Sequence, residues 1–177
     1  MKRMMISRLE ESIGEKIFIQ GWVHRVRILK NISFVIVRDR SGMVQCVVAK
    51  DIDLNNLTNE SVVEITGVAK EGKNSLNNFE VIVEEINVIN KVEEILPIEV
   101  NKNSLDISLE TLLNNRVLSL RNEKNNAIFK IQHILLQGFR EFLSKEDFTE
   151  IFSPKIVAEG AEGGTSVFKL NYFGKEA

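Results

Sequence analysis

The chain has 177 residues, 44% of them hydrophobic and 27% charged, which excludes a disordered tail and allows one complete domain with part of a second. No apolar run approaches the roughly 20 residues that span a bilayer, so no membrane partner is expected. The formal net charge of −2 argues against a protein that coats polyanions over its whole surface.

Charge is unevenly placed. Residues 1–50 carry ten Lys and Arg against four Asp and Glu, while the remainder carries thirteen against twenty-one. A basic patch on an otherwise acidic protein fits contact with a short piece of RNA, and a solvated basic surface accounts for it equally well. The N-terminus, MKRMMISRLEESIGEK, is too charged for a secretory signal. Cys46 is the only cysteine, so neither an internal disulfide nor a multi-cysteine zinc site can form, and a reducing cytoplasm is the expected location. His24 and His133 lie far apart with no ligand cluster beside them, so no metal site is expected.

In chain order, Ile6–Ile13 reads as a short helix or extended arm, and Gly14 turns into a long strand, KIFIQGWVHRVRI. Gly21 inside it predicts a bulge that lets one strand bend and serve both halves of a small barrel. SFVIVRDR and MVQCVVAK follow as the second and third strands, joined by turns at Lys30-Asn31 and Arg40-Ser41-Gly42. DIDLNNLTNE is polar with spaced leucines, a short helix or loop. SVVEITGVAKE and FEVIVEEINVIN complete five strands, with Phe79, Val81 and Val83 on one parity before the pattern shifts near Glu85. Five strands in about 75 residues match an all-β oligonucleotide-binding (OB) barrel. The competing form is an SH3-like barrel, and strand count with a helical insert after the third strand favours OB. This domain covers 1–90.

Residues 91–123 read as a hinge with one short helix near Leu109–Asn114. From Asn125 the apolar period becomes 3.6, through Ala127, Ile128, Ile131, Ile134, Leu135, Phe139 and Phe142, which predicts an amphipathic helix ending near Lys145. FTEIFSP is read as a strand with Pro154 at its end, EGAEGGTS as a loop, and VFKLNYFG as a last strand. One helix and two strands cannot bury their apolar faces alone, so 124–177 is the opening of a larger domain or half of an interface.

The outward residues of the first three strands include His24, Arg25, Arg27, Phe34, Arg38 and Gln45. Arginines to hold phosphates, an aromatic to stack a base and an amide to read a base edge are what a single-stranded RNA platform requires. The same residues suit a barrel with a solvated basic face: Phe34 fits a core position, Gln45 an edge amide and Glu80 a solvated strand charge.

The string GWVHRVR…SFVIVRDRSGMVQ resembles the anticodon-binding OB domain of class II aspartyl- and asparaginyl-tRNA synthetases. LLNNRVLSLRN…AIFKIQ resembles their hinge and the lead-in to an α+β catalytic domain, and FTEIFSPKIVAEGAEGGTSVFKLNYFGKEA resembles motif 1 and the mobile amino-acid loop. RDRSG and NNRVLSLRN lean toward the archaeal-type aspartyl branch, with the asparagine–tRNA ligase counterpart as the alternative. The resemblance implies that Phe34 stacks on an anticodon base and that Gln45 reads the central uridine. It implies that Arg25 and Arg27 contact the anticodon backbone and bases and that Glu80 reads the anticodon. It puts His24 where discriminating enzymes carry an aromatic, so a histidine there implies acceptance of tRNA-Asn as well as tRNA-Asp. Pro154 and the amphipathic helix match motif 1, which implies a homodimer in the full-length relative, and Glu162, Gly163 and Gly164 match the loop that folds over the amino acid.

The motif 2 and motif 3 arginines of that family have no counterpart, since Arg140 is the only arginine after Arg121. ATP and magnesium are therefore expected only for the full-length relative, and this chain is expected to be an inactive fragment of an aspartate–tRNA(Asp/Asn) ligase. A free-standing tRNA-binding protein and a dimerising interaction protein are the remaining alternatives.

Overall fold

The computed structural model describes residues 1–72, 75–154, 156 and 170–176. They form two compact units, Met1–Asn126 and Ala127–Ala177.

The first unit is built on a closed barrel. Its strands are β1 (Lys16–Ile28), β2 (Ile32–Arg38), β3 (Met43–Ala49), β4 (Val62–Glu71) and β5 (Phe79–Asn90). They close in the order β1-β2-β3-β5-β4, with β3 and β5 parallel and the other pairs antiparallel. The first half of β1 pairs with β4 and the second half with β2, so one long strand closes the barrel as expected. Alternation buries Ile17, Ile19, Val23, Val35, Val37, Val44, Cys46, Val48, Val63, Ile65 and Val81 in a single core. A 3-10 helix, Ile6–Ser12, caps that core with Ile6 and Leu9, and its Ile6 N–H donates to Asp39 Oδ2 at 3.0 Å.

The bulge in β1 is not at Gly21. The β1–β2 register slips between Val23 and Arg25, which makes His24 the extra residue. Gly21 serves a different need: a Cβ there would collide with the Arg38 carbonyl oxygen and the Val37 side chain. Gly67 answers the same constraint against the Ile82 carbonyl, beside a second slip between Thr66 and Gly67. Residues 51–60 form turns without a helix, so the expected helical insert is absent and the closed strand order carries the OB assignment.

Residues 91–126 stay with the barrel. Thr58 Oγ1 donates to the Val92 carbonyl at 2.7 Å, the Val92 N–H donates to Ser61 Oγ at 3.0 Å, and Ile98 and Val100 are buried. Ser108 caps α1 (Leu109–Asn114), where the sequence puts a helix, and a one-turn α2 (Arg116–Ser119) follows.

In the second unit, α3 (Glu123–Lys145, beginning in the first) carries the expected apolar stripe. Residues 148–154, read above as a strand, form no ladder, because no described strand lies beside them to accept their backbone hydrogen bonds. Pro154 is exposed there. The last elements are a two-residue hairpin, β6 (Asn171–Tyr172) and β7 (Lys175–Glu176). Glu162, Gly163 and Gly164 lie outside the described residues.

Candidate nucleic-acid interface

The bulge at His24 decides what β1 offers to solvent. Ile17, Ile19, Gly21 and Val23 point inward, and unbroken alternation would send Arg25 and Arg27 into the core after them. The extra residue inverts the parity, so Val26 turns inward and both arginines turn out.

Cross-strand pairing then lays the outward residues in rows. Arg25 pairs with Ile36, Ile36 with Gln45, and Gln45 with Glu80 across the parallel β3–β5 ladder. The next outward row runs Arg27, Phe34, Val47, Ile82. The fold thus brings Arg25, Arg27, Phe34, Gln45 and Glu80 onto one face, two guanidinium groups at one side and a carboxylate at the other. Phe34 is half-buried in its row and lies outside the barrel core, which removes the core alternative for it. Arg25 Nη2 donates to the Asn101 carbonyl at 3.4 Å, and Arg27 is exposed. Gln45 Nε2 donates to Glu80 Oε2 at 3.1 Å.

Arg38 departs from the expectation. It points out of the barrel opposite Trp22 and Met43 but is only 6% exposed, because chain from outside the strands covers it. Its Nη2 donates to both oxygens of the buried Glu60 carboxylate at 2.9 Å, and Arg121 Nη1 donates to Glu60 Oε2 at 2.9 Å. Both guanidinium carbons sit over the Trp22 ring, at 5.8 and 4.9 Å. Glu60 holds this position with φ of 66°, a left-handed conformation unfavourable for a residue with a Cβ. Two charge-assisted partners offset that strain, and removing Glu60 would leave the buried Arg38 guanidinium without its carboxylate, at about 3–5 kcal/mol. Arg38 is therefore framework.

This cluster reaches His24. Arg38 Nη1 lies 3.1 Å from His24 Nδ1, and a guanidinium can only donate, so Nδ1 accepts and the ring hydrogen belongs on Nε2. Burial holds the His24 pKa below the usual imidazole value; the Arg38 charge adds to this, Glu60 and Glu123 oppose it, and Arg25 adds a smaller push in the same direction. Glu60 and Arg121 carry no local sequence signal for this cluster, since they join Arg38 from 22 and 83 positions away along the chain.

A cavity of about 320 Å³ opens at the β1–β2 turn, beyond the Phe34 row, between Lys30, Ile32, Lys50 and Leu54. A second, of about 330 Å³, lies between residues 58–60 and 92–101. Glu60, Glu93, Glu94 and Glu99 edge it, and Glu60 is already paired with Arg38 and Arg121. Cys46 is fully buried, which pushes its thiol far above the ordinary value and leaves it a packing residue. Among the described residues no three His, Cys, Asp or Glu side chains gather as a metal site would require, and no helix is long and apolar enough to cross a membrane.

Residues 17–89 match the family of OB-fold nucleic acid binding domains, and residues 108–175 match the class II tRNA synthetases (D, K and N). The chain is 45% identical over 175 residues to the aspartate–tRNA(Asp/Asn) ligase of Methanococcoides burtonii, covering 94% of this chain and 39% of that one. It is 37% identical to the ligase of the same name from Thermus thermophilus, covering 99% of this chain and 41% of that one. The asparaginyl-tRNA synthetase of Pyrococcus horikoshii, solved with asparaginyl-adenylate, superposes with a TM-score of 0.87 at 33% identity, over 99% of this chain and 42% of that one. The chain spans about two fifths of the length of these relatives.

Proposed function

We propose that this chain, which matches the class II tRNA synthetases (D, K and N) and their OB-fold domain, is the anticodon-recognising part of an aspartate–tRNA ligase that accepts tRNA-Asp and tRNA-Asn. The observation that carries this reading is the face on which Arg25, Arg27, Phe34, Gln45 and Glu80 meet in two adjacent rows of an OB barrel. Phe34 stacks the central base, Gln45 pairs with its edge, and Arg25 and Arg27 hold the loop phosphates.

His24 reads the third anticodon base, the one that separates the two tRNAs by C or U. Its Nε2–H is a donor, and a donor suits the O2 carbonyl that cytosine and uracil share, so the residue tolerates both. Identity of 37–45% to ligases named for tRNA(Asp/Asn) favours aspartate as the amino acid.

In this reading residues 1–90 bind the anticodon, 91–123 form the hinge, and 124–177 begin the catalytic domain. ATP and magnesium supply the activating chemistry in the whole protein. Among the described residues no three His, Cys, Asp or Glu side chains gather to hold the metal. Pro154 and α3 belong to a homodimer interface, Glu162, Gly163 and Gly164 to the amino-acid loop, and the setting is the cytoplasm.

The test is binding of this chain to tRNA-Asp, tRNA-Asn and a central-base mutant at one fixed salt concentration. Both natural tRNAs should bind and the mutant should not. Phe34→Ala should weaken binding by about 1–3 kcal/mol. Equal weak binding of all three RNAs, unchanged in Phe34→Ala, would leave the alternative of a protein that dimerises through α3 and has lost RNA recognition.

A further inference from the structure

We propose that Glu80 is a positioning residue that fixes which way round the Gln45 amide is presented, and so makes the central-base site select uracil over cytosine. This rests on the platform reading above and assigns Glu80 a role through Gln45 instead of direct contact with the RNA.

An ionised carboxylate has only acceptors. The amide atom 3.1 Å from Glu80 Oε2 must therefore be Nε2 with one of its hydrogens. What Gln45 retains for a ligand is Oε1 as acceptor and its second N–H as donor. Uracil complements that pair, because its N3–H donates to Oε1 while a neighbouring carbonyl accepts from Nε2. Cytosine at the same place sets its unprotonated N3 against Oε1, acceptor against acceptor, and its amino group against Nε2, donor against donor. A free glutamine would answer by turning its amide over. Here the turn exchanges a charge-assisted hydrogen bond for an oxygen facing a carboxylate.

Glu80 is itself held in place. It is the register partner of Gln45 across β3–β5 and of Lys70 across β4–β5, and the preceding Phe79 is buried. Buried Gly72 packs so closely against its stem that a Cβ there would lie 3.1 Å from both Glu80 Cγ and Cδ. The carboxylate cannot easily swing aside to release the amide.

The experiment compares anticodon stem–loop RNAs that differ only in a central U or C, bound to the whole chain at one salt concentration. Glu80→Gln keeps the shape but can offer Gln45 either an oxygen or an N–H, so the preference for U should fall about tenfold, mainly through tighter binding of the C form. Glu80→Lys can only donate, which should turn the amide over and move the preference toward C. Any general gain in RNA affinity from the added charge cancels in the U/C ratio, and thermal unfolding checks that each variant is folded. If both variants keep the wild-type ratio while Gln45→Ala abolishes it, Gln45 reads alone and the proposal is overturned with the platform intact. If the wild-type chain binds both RNAs equally and Phe34→Ala changes nothing, the platform reading itself fails.

Discussion

His24 stands where three constraints meet: it is the bulged residue of β1, it accepts from Arg38, and it directly precedes Arg25 of the outward rows. Its lowered pKa follows mainly from burial and then from the Arg38 charge, with Arg25 pushing the same way and Glu60 and Glu123 opposing. Protonation would put a second hydrogen on Nδ1, facing a guanidinium that has nothing to accept it. The sign for stability follows. Between the lowered folded value and the usual value of 6.5, the unfolded chain binds the proton and the folded chain does not, so stability falls as pH drops through that window and levels off below it. Imidazole resonances in an NMR titration should place the His24 midpoint below 6.5. His24→Phe should remove this part of the pH dependence of thermal unfolding. A midpoint at or above the usual value would mean that the Arg38 contact does not persist in solution.

At the scale of the element, β1 does two jobs along one strand, and Gly21 directly precedes the changeover at Trp22, which pairs with both β4 and β2. The atom an alanine Cβ would meet is a backbone oxygen, which cannot move without disturbing the β1–β2 ladder. Gly21→Ala should therefore cost about 1–3 kcal/mol in urea unfolding. Gly138→Ala in α3, where a Cβ would meet nothing within 4 Å, is the control and should cost nothing. The strands were legible because a closed barrel buries one face of each, and burial imposes the period of two. The bulges were legible too, in a signal other than glycine. Val23 to Val26 in β1, and Val83 to Ile86 in β5, are spaced by three where alternation requires two, and two of the three register slips fall there. Arg38 was read correctly as pointing out of the barrel and wrongly as available to RNA. Direction is set by neighbours in the strand, whereas its burial depends on Glu60 and Arg121, far off in the chain. The strand expected in FTEIFSP failed for a related reason, since a strand needs a partner that local pattern cannot supply.

At the scale of the whole molecule, the barrel buries one face of each strand in its own core, whereas no residue of α3 is buried. Ile128, Ile131, Leu135, Phe139 and Phe142 follow one another at helical spacing and are each 59–68% exposed. A face of that kind is seldom left in water by a stable monomer. Nothing in the two outward rows requires cover for that face, because Arg25, Arg27, Phe34, Gln45 and Glu80 all belong to strands of the closed barrel. The two properties should therefore separate. In sedimentation velocity this chain should self-associate as its concentration rises, and Ile131→Glu with Leu135→Glu should return it to a monomer. The doubly substituted chain should bind the anticodon stem–loop with the affinity and U/C preference of the parent at the same salt. Loss of RNA binding together with self-association would instead place recognition on an assembled surface and not on the barrel face alone.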